Sequence, residues 1–268
     1  MLRFKQYYKV ETIDEAYELN QKKANHIMAG NLWLRQQNRT IGGVIDLSGL
    51  GLDQIEETEN AFVIGAMTTL RQLECHPGLS GYLHGAARES VRHIVGVQFR
   101  NMATVGGSLY GRYGFSDVLT LFLALDARIK LHAAGEVALS DYVKEKPDRD
   151  IIEYVILPKK VERCAYLSIR NSQTDFPVLT CCMAEVDGRI QGTLGARPGR
   201  AVLFCDEAGI CSDGITEENA ALFADYVKAH VTTGSNYRAG AEYRRKMAGV
   251  LTKRALLLMA EKKEGGLK

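Results

Sequence analysis

The stretch that decides the fold of this chain is Arg100-Asn101-Met102-Ala103-Thr104-Val105-Gly106-Gly107-Ser108-Leu109, in which two glycines stand between residues that carry hydroxyl groups. Paired glycines can adopt positive φ and, because they lack Cβ, they allow successive backbone N–H groups to converge on a phosphate oxygen. Without other signals such a pair more often marks a tight turn between core elements. The hydroxyl groups of Thr104 and Ser108 can also donate to phosphate and therefore favour a phosphate-binding loop.

A second candidate loop, Ala29-Gly30-Asn31-Leu32-Trp33-Leu34, lies upstream at the end of an apolar, strand-like run. Nucleotide sites commonly lie beyond strand ends, so we expect this loop to bind a second phosphate. Neither loop has the G-x-G-x-x-G or the G-x-x-x-x-G-K-[ST] spacing, which argues against the Rossmann and P-loop classes. Two separated loops of this kind suit a pyrophosphate.

Asp117 follows Ser116 at the start of an apolar helix that we predict over Val118–Leu125. An acidic side chain is stabilised there by the helix dipole and can cap the helix. The same carboxylate could instead accept hydrogen bonds from a bound ligand, and both interpretations stay open. No residues with metal-ligand spacing and no Ser-His-Asp or Cys-His pairing assemble from the sequence, so we predict neither a metal site nor a catalytic residue.

The composition, with 46% hydrophobic and 25% charged residues among 268, is that of a globular protein with one large or two modest cores. A net charge of +2 provides no field that would concentrate nucleic acid or anionic lipid, so we predict neither as a partner. The N-terminus has no apolar signal region, and no apolar run approaches the roughly 18 residues of a membrane span. The six cysteines include no C-x-x-C pair, which favours reduced thiols and a cytoplasmic protein.

Apolar periodicity predicts a small βαβ opening, a helix-rich middle and a C-terminal part with several strands followed by two helices. Thr12 with Glu15 resembles a capping box, which would begin a helix running to about Ala24. His76-Pro77-Gly78 interrupts a helical pattern over residues 69–92. The predicted strands are His26–Ala29, Val44–Leu47, Phe62–Ile64, Arg128–His132, Val137–Leu139, Ile151–Leu157, Tyr166–Arg170, Val178–Val186, Arg189–Leu194 and Ala201–Phe204.

The C-terminal part is predicted to contain helices over Glu217–His230 and about Ala239–Glu261, followed by a disordered tail, EKKEGGLK, at residues 261–268. The second helix carries the basic run Tyr243-Arg244-Arg245-Lys246 opposite an apolar face. A solvated helix face is the simpler interpretation of this run, and contact with a partner protein is the alternative.

Taken together, these residues resemble the FAD-binding subunits of molybdenum hydroxylases of the xanthine dehydrogenase and carbon monoxide dehydrogenase type. The specific signal is Arg-Asn-x-Ala-Thr-x-Gly-Gly at residues 100–107. The segment Ala241–Leu251 resembles the closing helix of the family. The segments that follow in family order are Glu15-Ala16, Ala29-Gly30, Ile45-Asp46-Leu47-Ser48, Ile64–Thr69, Ser116-Asp117 and Leu125-Asp126-Ala127. The resemblance implies FAD as the cofactor of this chain.

The resemblance further implies a mixed α/β (α+β) fold, in which a two-subdomain FAD-binding fold of the PCMH/VAO-like type precedes a small C-terminal domain with an antiparallel sheet. We expect the FAD-binding domain over residues 1–163, with subdomains of about 1–58 and 59–163, and the C-terminal domain over 164–268. The implied partners are a molybdopterin-binding large subunit, which oxidises the substrate, and a small subunit with two [2Fe–2S] clusters. FAD would take electrons singly from the clusters and release them in pairs to NAD⁺ or another acceptor.

Carried over residue by residue, the family's first pyrophosphate loop falls on Ala29, Gly30, Asn31, Leu32, Trp33 and Leu34. The second falls on Thr104, Val105, Gly106, Gly107, Ser108 and Leu109. The acidic flavin contact, to the ribityl chain or the ring, falls on Asp117, and Thr68 is a further predicted cofactor-binding residue.

The first loop departs from the family, which usually has Ala-Gly-Gly-Thr-Asp-Leu where this chain has lost one glycine and both polar side chains. Asn31 tolerates left-handed backbone geometry, but Leu32 and Trp33 cannot replace the missing polar contacts. The chain is therefore expected to bind FAD more weakly, or through backbone N–H groups alone. Two alternatives stay open, a scaffold subunit that has lost its flavin and a free-standing flavin reductase similar to UDP-N-acetylenolpyruvoylglucosamine reductase.

Overall fold

The structure is a computed structural model that describes residues 1–264 and side chains up to residue 261. Its N-terminal part is a parallel three-stranded sheet in the order β1-β3-β2. Helix α1 (Ile13–Gln21) follows β1, and the Thr12 hydroxyl accepts a hydrogen bond from the Glu15 N–H, which confirms the predicted helix start. The strands are β1 (Arg3–Lys9), β2 (Asn25–Met28) and β3 (Thr40–Asp46). Strand β1 was not predicted, because its side chains are mostly exposed and lack apolar alternation at the edge of the sheet.

The middle part is a five-stranded antiparallel sheet in the order β4-β5-β8-β6-β7. Its strands are β4 (Ile55–Glu57), β5 (Ala61–Gly65), β6 (Arg128–Leu131), β7 (Gly135–Ala138) and β8 (Ile152–Pro158). Between them lie α2 (Leu70–Cys75), α3 (Pro77–Tyr82), α4 (Ala86–Val91), α5 (Val97–Arg100), α6 (Val105–Tyr110), α7 (Asp117–Ala124) and α8 (Leu139–Tyr142). Helix α2 ends and α3 begins at the predicted break, because Pro77 has no N–H to continue the first helix.

The C-terminal part is a four-stranded antiparallel sheet in the order β12-β11-β10-β9, with α9 and α10 packed against each other and α10 against the sheet. Its elements are β9 (Val161–Arg170), β10 (Pro177–Val186), β11 (Arg189–Gly195), β12 (Val202–Cys205), α9 (Glu217–His230) and α10 (Ala241–Glu264). Strand β10 is buried on both faces, since α7 packs on one side of the sheet and α10 on the other. Cys181 therefore lies in the C-terminal core and Cys182 in the central core, because successive side chains of a strand point to opposite faces.

The predicted domain boundary after residue 163 falls inside β9, and the division into two domains remains a prediction. The predicted disordered tail was placed too early, because α10 continues through Glu264, and residues 265–268 lie outside the described part of the chain. Within residues 1–264, no helix is both long and apolar enough to cross a membrane.

The basic run on α10 is only partly a solvated face. Arg245 and Lys246 are exposed, as predicted, but Arg244 is fully buried. Its guanidinium donates to the carbonyl oxygens of Val178, Gly234 and Ala239 at 2.8, 2.8 and 2.6 Å, and to Asn236 Oδ1 at 2.7 Å. A guanidinium has five donors in a planar fork, so one side chain can hold the 234–239 segment against β10. The interpretation of Arg244 as a solvated residue was wrong.

Candidate functional site

A cleft of about 480 Å³ opens between the end of β2, helix α6 and the start of α7, within the usual size range of small-molecule sites. Most of the predicted site residues line it, namely Ala29, Gly30, Asn31, Leu32, Trp33, Leu34, Thr104, Gly107, Ser108 and Asp117. The two predicted loops thus face one another across a single cavity.

The first loop offers a row of unused backbone donors. None of the N–H groups from Gly30 to Leu34 has a hydrogen-bond acceptor within the part of the chain that the structure describes. Asn31 has φ of 58° and Trp33 has right-handed helical angles, so the backbone turns sharply within this loop. Gly30 is required here, since a Cβ at this position would lie 1.9 Å from the carbonyl oxygen of Met102.

The second loop is not an open loop, because Val105–Tyr110 forms helix α6. The N–H groups of Val105 and Gly106 donate to the carbonyl oxygens of Thr68 and Ala66, both at 2.9 Å, and the Gly107 N–H donates to Thr104 Oγ1 at 3.1 Å. These donors already have partners and are not available as the converging phosphate cradle that the glycine pair suggested.

The first glycine of the pair, Gly106, instead allows close packing. A Cβ at Gly106 would lie 2.6 Å from the Cβ of Ala66, so α6 could not approach β5 with any larger residue there. Val105 and Gly106 are buried away from the cleft, and the Thr68 hydroxyl donates to the Gln54 carbonyl oxygen at 3.1 Å. We therefore expect no ligand contact from these three predicted residues, whereas Thr104, Gly107 and Ser108 line the cleft.

Asp117 lies at the first position of α7, but Ser116 is the cap, since its hydroxyl accepts a hydrogen bond from the Leu119 N–H at 3.1 Å. The Asp117 carboxylate accepts hydrogen bonds from the Tyr166 hydroxyl at 2.6 Å and from Arg170 Nη2 at 2.5 Å. Burial raises the pKa of the Asp117 carboxyl, while Arg170 and Tyr166 act in the opposite direction. The helix-cap interpretation of Asp117 is excluded, and the residue joins the cleft wall to strand β9.

Arg170 lines the same part of the cleft and was not predicted from the sequence. Its Nη1 donates to the Asp175 carbonyl oxygen at 2.7 Å, but its buried Nε has no acceptor among the described residues. Buried donors are nearly always satisfied in folded proteins. The Nε of this cleft residue is therefore a donor that remains available for a hydrogen bond.

Four aromatic rings form one side of the cleft, and sequence reasoning did not bring them together. The ring of Trp33 lies 5.6 Å from that of Tyr113, 5.8 Å from Phe115 and 6.1 Å from Phe176, measured between centroids. We call these four residues the aromatic cluster. The density of aromatic residues in Arg-Tyr-Gly-Phe at 112–115 was the available signal, but nothing in the sequence linked it to Trp33 or Phe176.

The most specific part of the sequence motif has a structural role. Arg100 is buried, and its Nε and Nη1 donate to Glu74 Oε2 at 2.8 Å and to the Ile94 carbonyl oxygen at 3.2 Å. Burial by itself raises the pKa of Glu74, but Arg100 and Arg71 outweigh it and the pKa lies below its usual value. The ion pair fixes the chain segment that leads into Thr104.

The site fits an extended dinucleotide such as FAD in three respects. Free N–H groups and the Thr104 hydroxyl can donate to a diphosphate, whereas the Ser108 hydroxyl already donates to the Thr104 carbonyl oxygen at 2.8 Å, and Asp117 with Arg170 supplies charged groups beside an aromatic wall. The lost polar side chains at positions 32 and 33 do not remove this capacity, because the donors of the first loop belong to the backbone.

Residues 2–160 match the family model for the FAD binding domain in molybdopterin dehydrogenase. The YgfM protein of Escherichia coli K12 is 28% identical over 68% of this chain and 70% of its own length. The medium chain of carbon monoxide dehydrogenase from Afipia carboxidovorans is 28% identical over 80% of each chain. The structure of carbon monoxide dehydrogenase from Hydrogenophaga pseudoflava, at 22% identity, superimposes with a TM-score of 0.83 over 97% of each chain, which confirms the mixed α/β fold. The chain belongs to the family of FAD-binding domains of molybdopterin dehydrogenases, and FAD is its cofactor.

Proposed function

We propose that the chain is the electron-transferring subunit of a molybdenum hydroxylase and that it holds FAD in the cleft between the two loops. The observation that carries this proposal is the row of unused N–H groups from Gly30 to Leu34, in a loop that lines the same cleft as the Thr104 hydroxyl. Its partners are a molybdopterin-binding subunit, where the substrate is oxidised, and a subunit with [2Fe–2S] clusters. The similarity to a medium chain of carbon monoxide dehydrogenase supports this assembly.

Each wall of the cleft has a separate task. The backbone of the first loop binds the diphosphate, and the Thr104 hydroxyl approaches it from the opposite wall. Asp117, held by Tyr166 and Arg170, accepts a hydrogen bond from the ribityl chain or the flavin ring. When bound, FAD supplies the means to accept electrons singly and to release them in pairs to NAD⁺ or another acceptor.

Reconstitution and copurification test the proposal together. The apoprotein incubated with FAD and then desalted should retain one flavin per chain, and the tagged chain should copurify with molybdenum and iron. In that complex the flavin should be reduced after substrate is added, whereas the isolated chain should show no reduction. A chain that stays colourless after reconstitution would identify a scaffold subunit, and one that reduces a substrate without any partner would identify a free-standing reductase.

The contact of Asp117 is tested by Asp117→Asn, which preserves the side-chain shape and removes the charge. Asn keeps an acceptor oxygen, and a charge-assisted hydrogen bond is about twice as strong as a neutral one, so FAD affinity should fall by roughly three- to tenfold. The Tm of the apoprotein will also fall, because Arg170 loses its buried counterion. Unchanged FAD affinity and flavin potential, with only the Tm lowered, would limit Asp117 to a structural role.

A further inference from the structure

The aromatic cluster includes two residues that stay exposed although they line the cleft. Trp33 is 40% exposed and Tyr113 is 39% exposed, although both line the cleft. Large aromatic surface that stays accessible in a concave site commonly marks the place of a ligand. The cluster therefore presents accessible ring surface on which a planar group of a ligand can stack.

The rings of the cluster hold one another in place. Tyr113 and Phe115 lie nearly parallel, with an angle of 6° and centroids 5.2 Å apart, and Phe176 meets Phe115 edge-on at 4.6 Å. Behind Phe176 the guanidinium of Arg238 lies 5.0 Å from the ring and binds Asp175 at 3.0 Å. Rings fixed in this way lose little conformational entropy when a planar ligand stacks on them.

The cluster also continues directly into the polar groups of the cleft. Phe115 precedes Ser116 and Asp117 in the chain, and Phe176 follows Asp175, whose carbonyl oxygen holds Arg170. A broad apolar surface thus lies next to a carboxylate and to the unused Nε of Arg170. An isoalloxazine has this combination of an apolar benzenoid part and a polar pyrimidine edge, whereas adenine has no comparable apolar part.

We propose that the aromatic cluster is the stacking surface for the isoalloxazine ring of FAD and that Trp33 replaces, by ring contact, the polar contact that this position has lost. The inference rests on the proposed function, because it requires FAD in this cleft. It assigns a ligand-binding role to Tyr113, Phe115 and Phe176, and it changes the meaning of Trp33 from a defect of the first loop to a part of the site.

Flavin fluorescence tests the stacking separately from flavin binding. A stacked indole or phenol transfers an electron to the excited flavin and quenches its emission, so FAD bound to the wild-type chain should be dim. Trp33→Leu should make the bound flavin brighter and weaken FAD binding by about tenfold, the size of effect that loss of one stacked aromatic partner typically has. Trp33→Phe keeps a ring at this position and should bind FAD within about threefold of the wild-type chain.

Tyr113→Leu should change both readouts in the same direction as Trp33→Leu but by a smaller factor. Tyr226→Leu is the matched control, because Tyr226 is also 39% exposed but lies on α9, away from the cleft. This control should leave FAD affinity and flavin emission at their wild-type values.

Two fragments of FAD identify which ring is stacked. If the isoalloxazine lies on the cluster, Trp33→Leu will weaken binding of FMN and leave binding of ADP unchanged, as measured by calorimetry. The opposite pattern would assign the cluster to adenine and overturn the proposal. If Trp33→Leu and Tyr113→Leu bind FAD with wild-type affinity and emission, stacking is refuted while the proposed function stands. A wild-type chain that binds no FAD at all would overturn both.

Discussion

The two loops of the cleft differ in whether their sequence motif matches the hydrogen bonding of their backbone N–H groups. The second loop has the glycine pair expected of a phosphate cradle, yet the N–H groups of Val105, Gly106 and Gly107 all have partners within the protein. The first loop has lost a glycine and two polar residues, yet none of its N–H groups from Gly30 to Leu34 has an acceptor among the described residues. A glycine motif therefore does not by itself identify the donors that reach a ligand.

The difference follows from what each glycine contacts. Gly106 packs against Ala66, and Gly30 packs against the backbone of Met102, so both glycines serve close approach of chain segments. The two loops differ in the N–H groups that follow each glycine: those after Gly106 have partners within the protein, and those of residues 31–34 have none among the described residues. The comparison predicts that Gly30 of the first loop governs FAD binding and that Gly106 of the second loop governs stability.

The largest effect is expected at the ion pair that fixes the entry to the second loop. Glu74→Leu removes the carboxylate from buried Arg100, and breaking a buried pair in this way typically costs about 3–5 kcal/mol of unfolding free energy. Urea denaturation measures this loss. Glu89→Leu breaks the exposed pair with Arg92 and should cost less than about 1 kcal/mol, so equal losses in the two variants would contradict a special role of the buried pair.

The ion pair between Glu74 and Arg100 also predicts how the unfolding free energy depends on pH. The pKa of Glu74 is lowered in the folded state, so the pair stabilises the protein above the carboxyl's ordinary pKa, and this contribution is lost as pH falls through the lowered value. Unfolding free energy measured from pH 7 down to pH 3 should therefore decrease less steeply in Glu74→Gln than in the wild-type chain. Parallel pH profiles would show that other carboxyls cause the acid sensitivity.

Gly30→Ala tests most directly whether the first loop binds the diphosphate. The added Cβ would meet a backbone carbonyl oxygen at 1.9 Å, which cannot move aside as a flexible side chain would. We expect a loss of about 3 kcal/mol of stability and more than tenfold weaker FAD binding, because the donors of the first loop are displaced. Thermal unfolding and FAD titration of the folded fraction measure the two effects, and retention of full FAD affinity would exclude the first loop as the diphosphate site.

Gly106→Ala should affect stability alone. Its Cβ would lie 2.6 Å from the Ala66 Cβ and 2.8 Å from the Ala66 carbonyl oxygen, so overpacking should cost about 1–3 kcal/mol. FAD affinity of the folded variant should stay within about threefold of the wild-type value, since Gly106 does not line the cleft. If Gly106→Ala instead loses FAD at unchanged Tm, the glycine pair is a phosphate loop after all.

The smallest effect is expected for Asn31→Gly, which restores the family residue of the first loop. Glycine adopts the observed φ of 58° without cost, and the change removes the buried Oδ1 of Asn31, which has no partner among the described residues. Unfolding free energy should change by less than about 1 kcal/mol and FAD affinity by less than about threefold, because the N–H at position 31 remains. A large gain in affinity would mean that the loss of the second glycine had weakened the site.

Local signals in the sequence predicted many of the elements correctly. Helix α9 was predicted over Glu217–His230 and is found there, because a Thr216 cap, an apolar stripe and a terminal basic residue all act within a few residues of one another. The break at Pro77 follows equally from one residue. Strand β1 was missed because an exposed edge strand needs no apolar alternation, and its pairing with β3 is decided by distant residues.

The features of the candidate site also divide into those that the sequence predicted and those that depend on the tertiary structure. The sequence by itself determined the family, the cofactor class and the two loops that line opposite sides of the cleft, since these depend on short motifs in a fixed order. Only the tertiary structure decided which N–H groups are free, because the acceptors at Thr68 and Ala66 lie some forty residues from α6 and reach it through β5. The tertiary structure also brought Trp33 to Phe176, and Asp117 on α7 to Arg170 on β9. Hydrogen bonding and ring contact depend on distances between segments remote in sequence, and those distances are set by how the sheets pack.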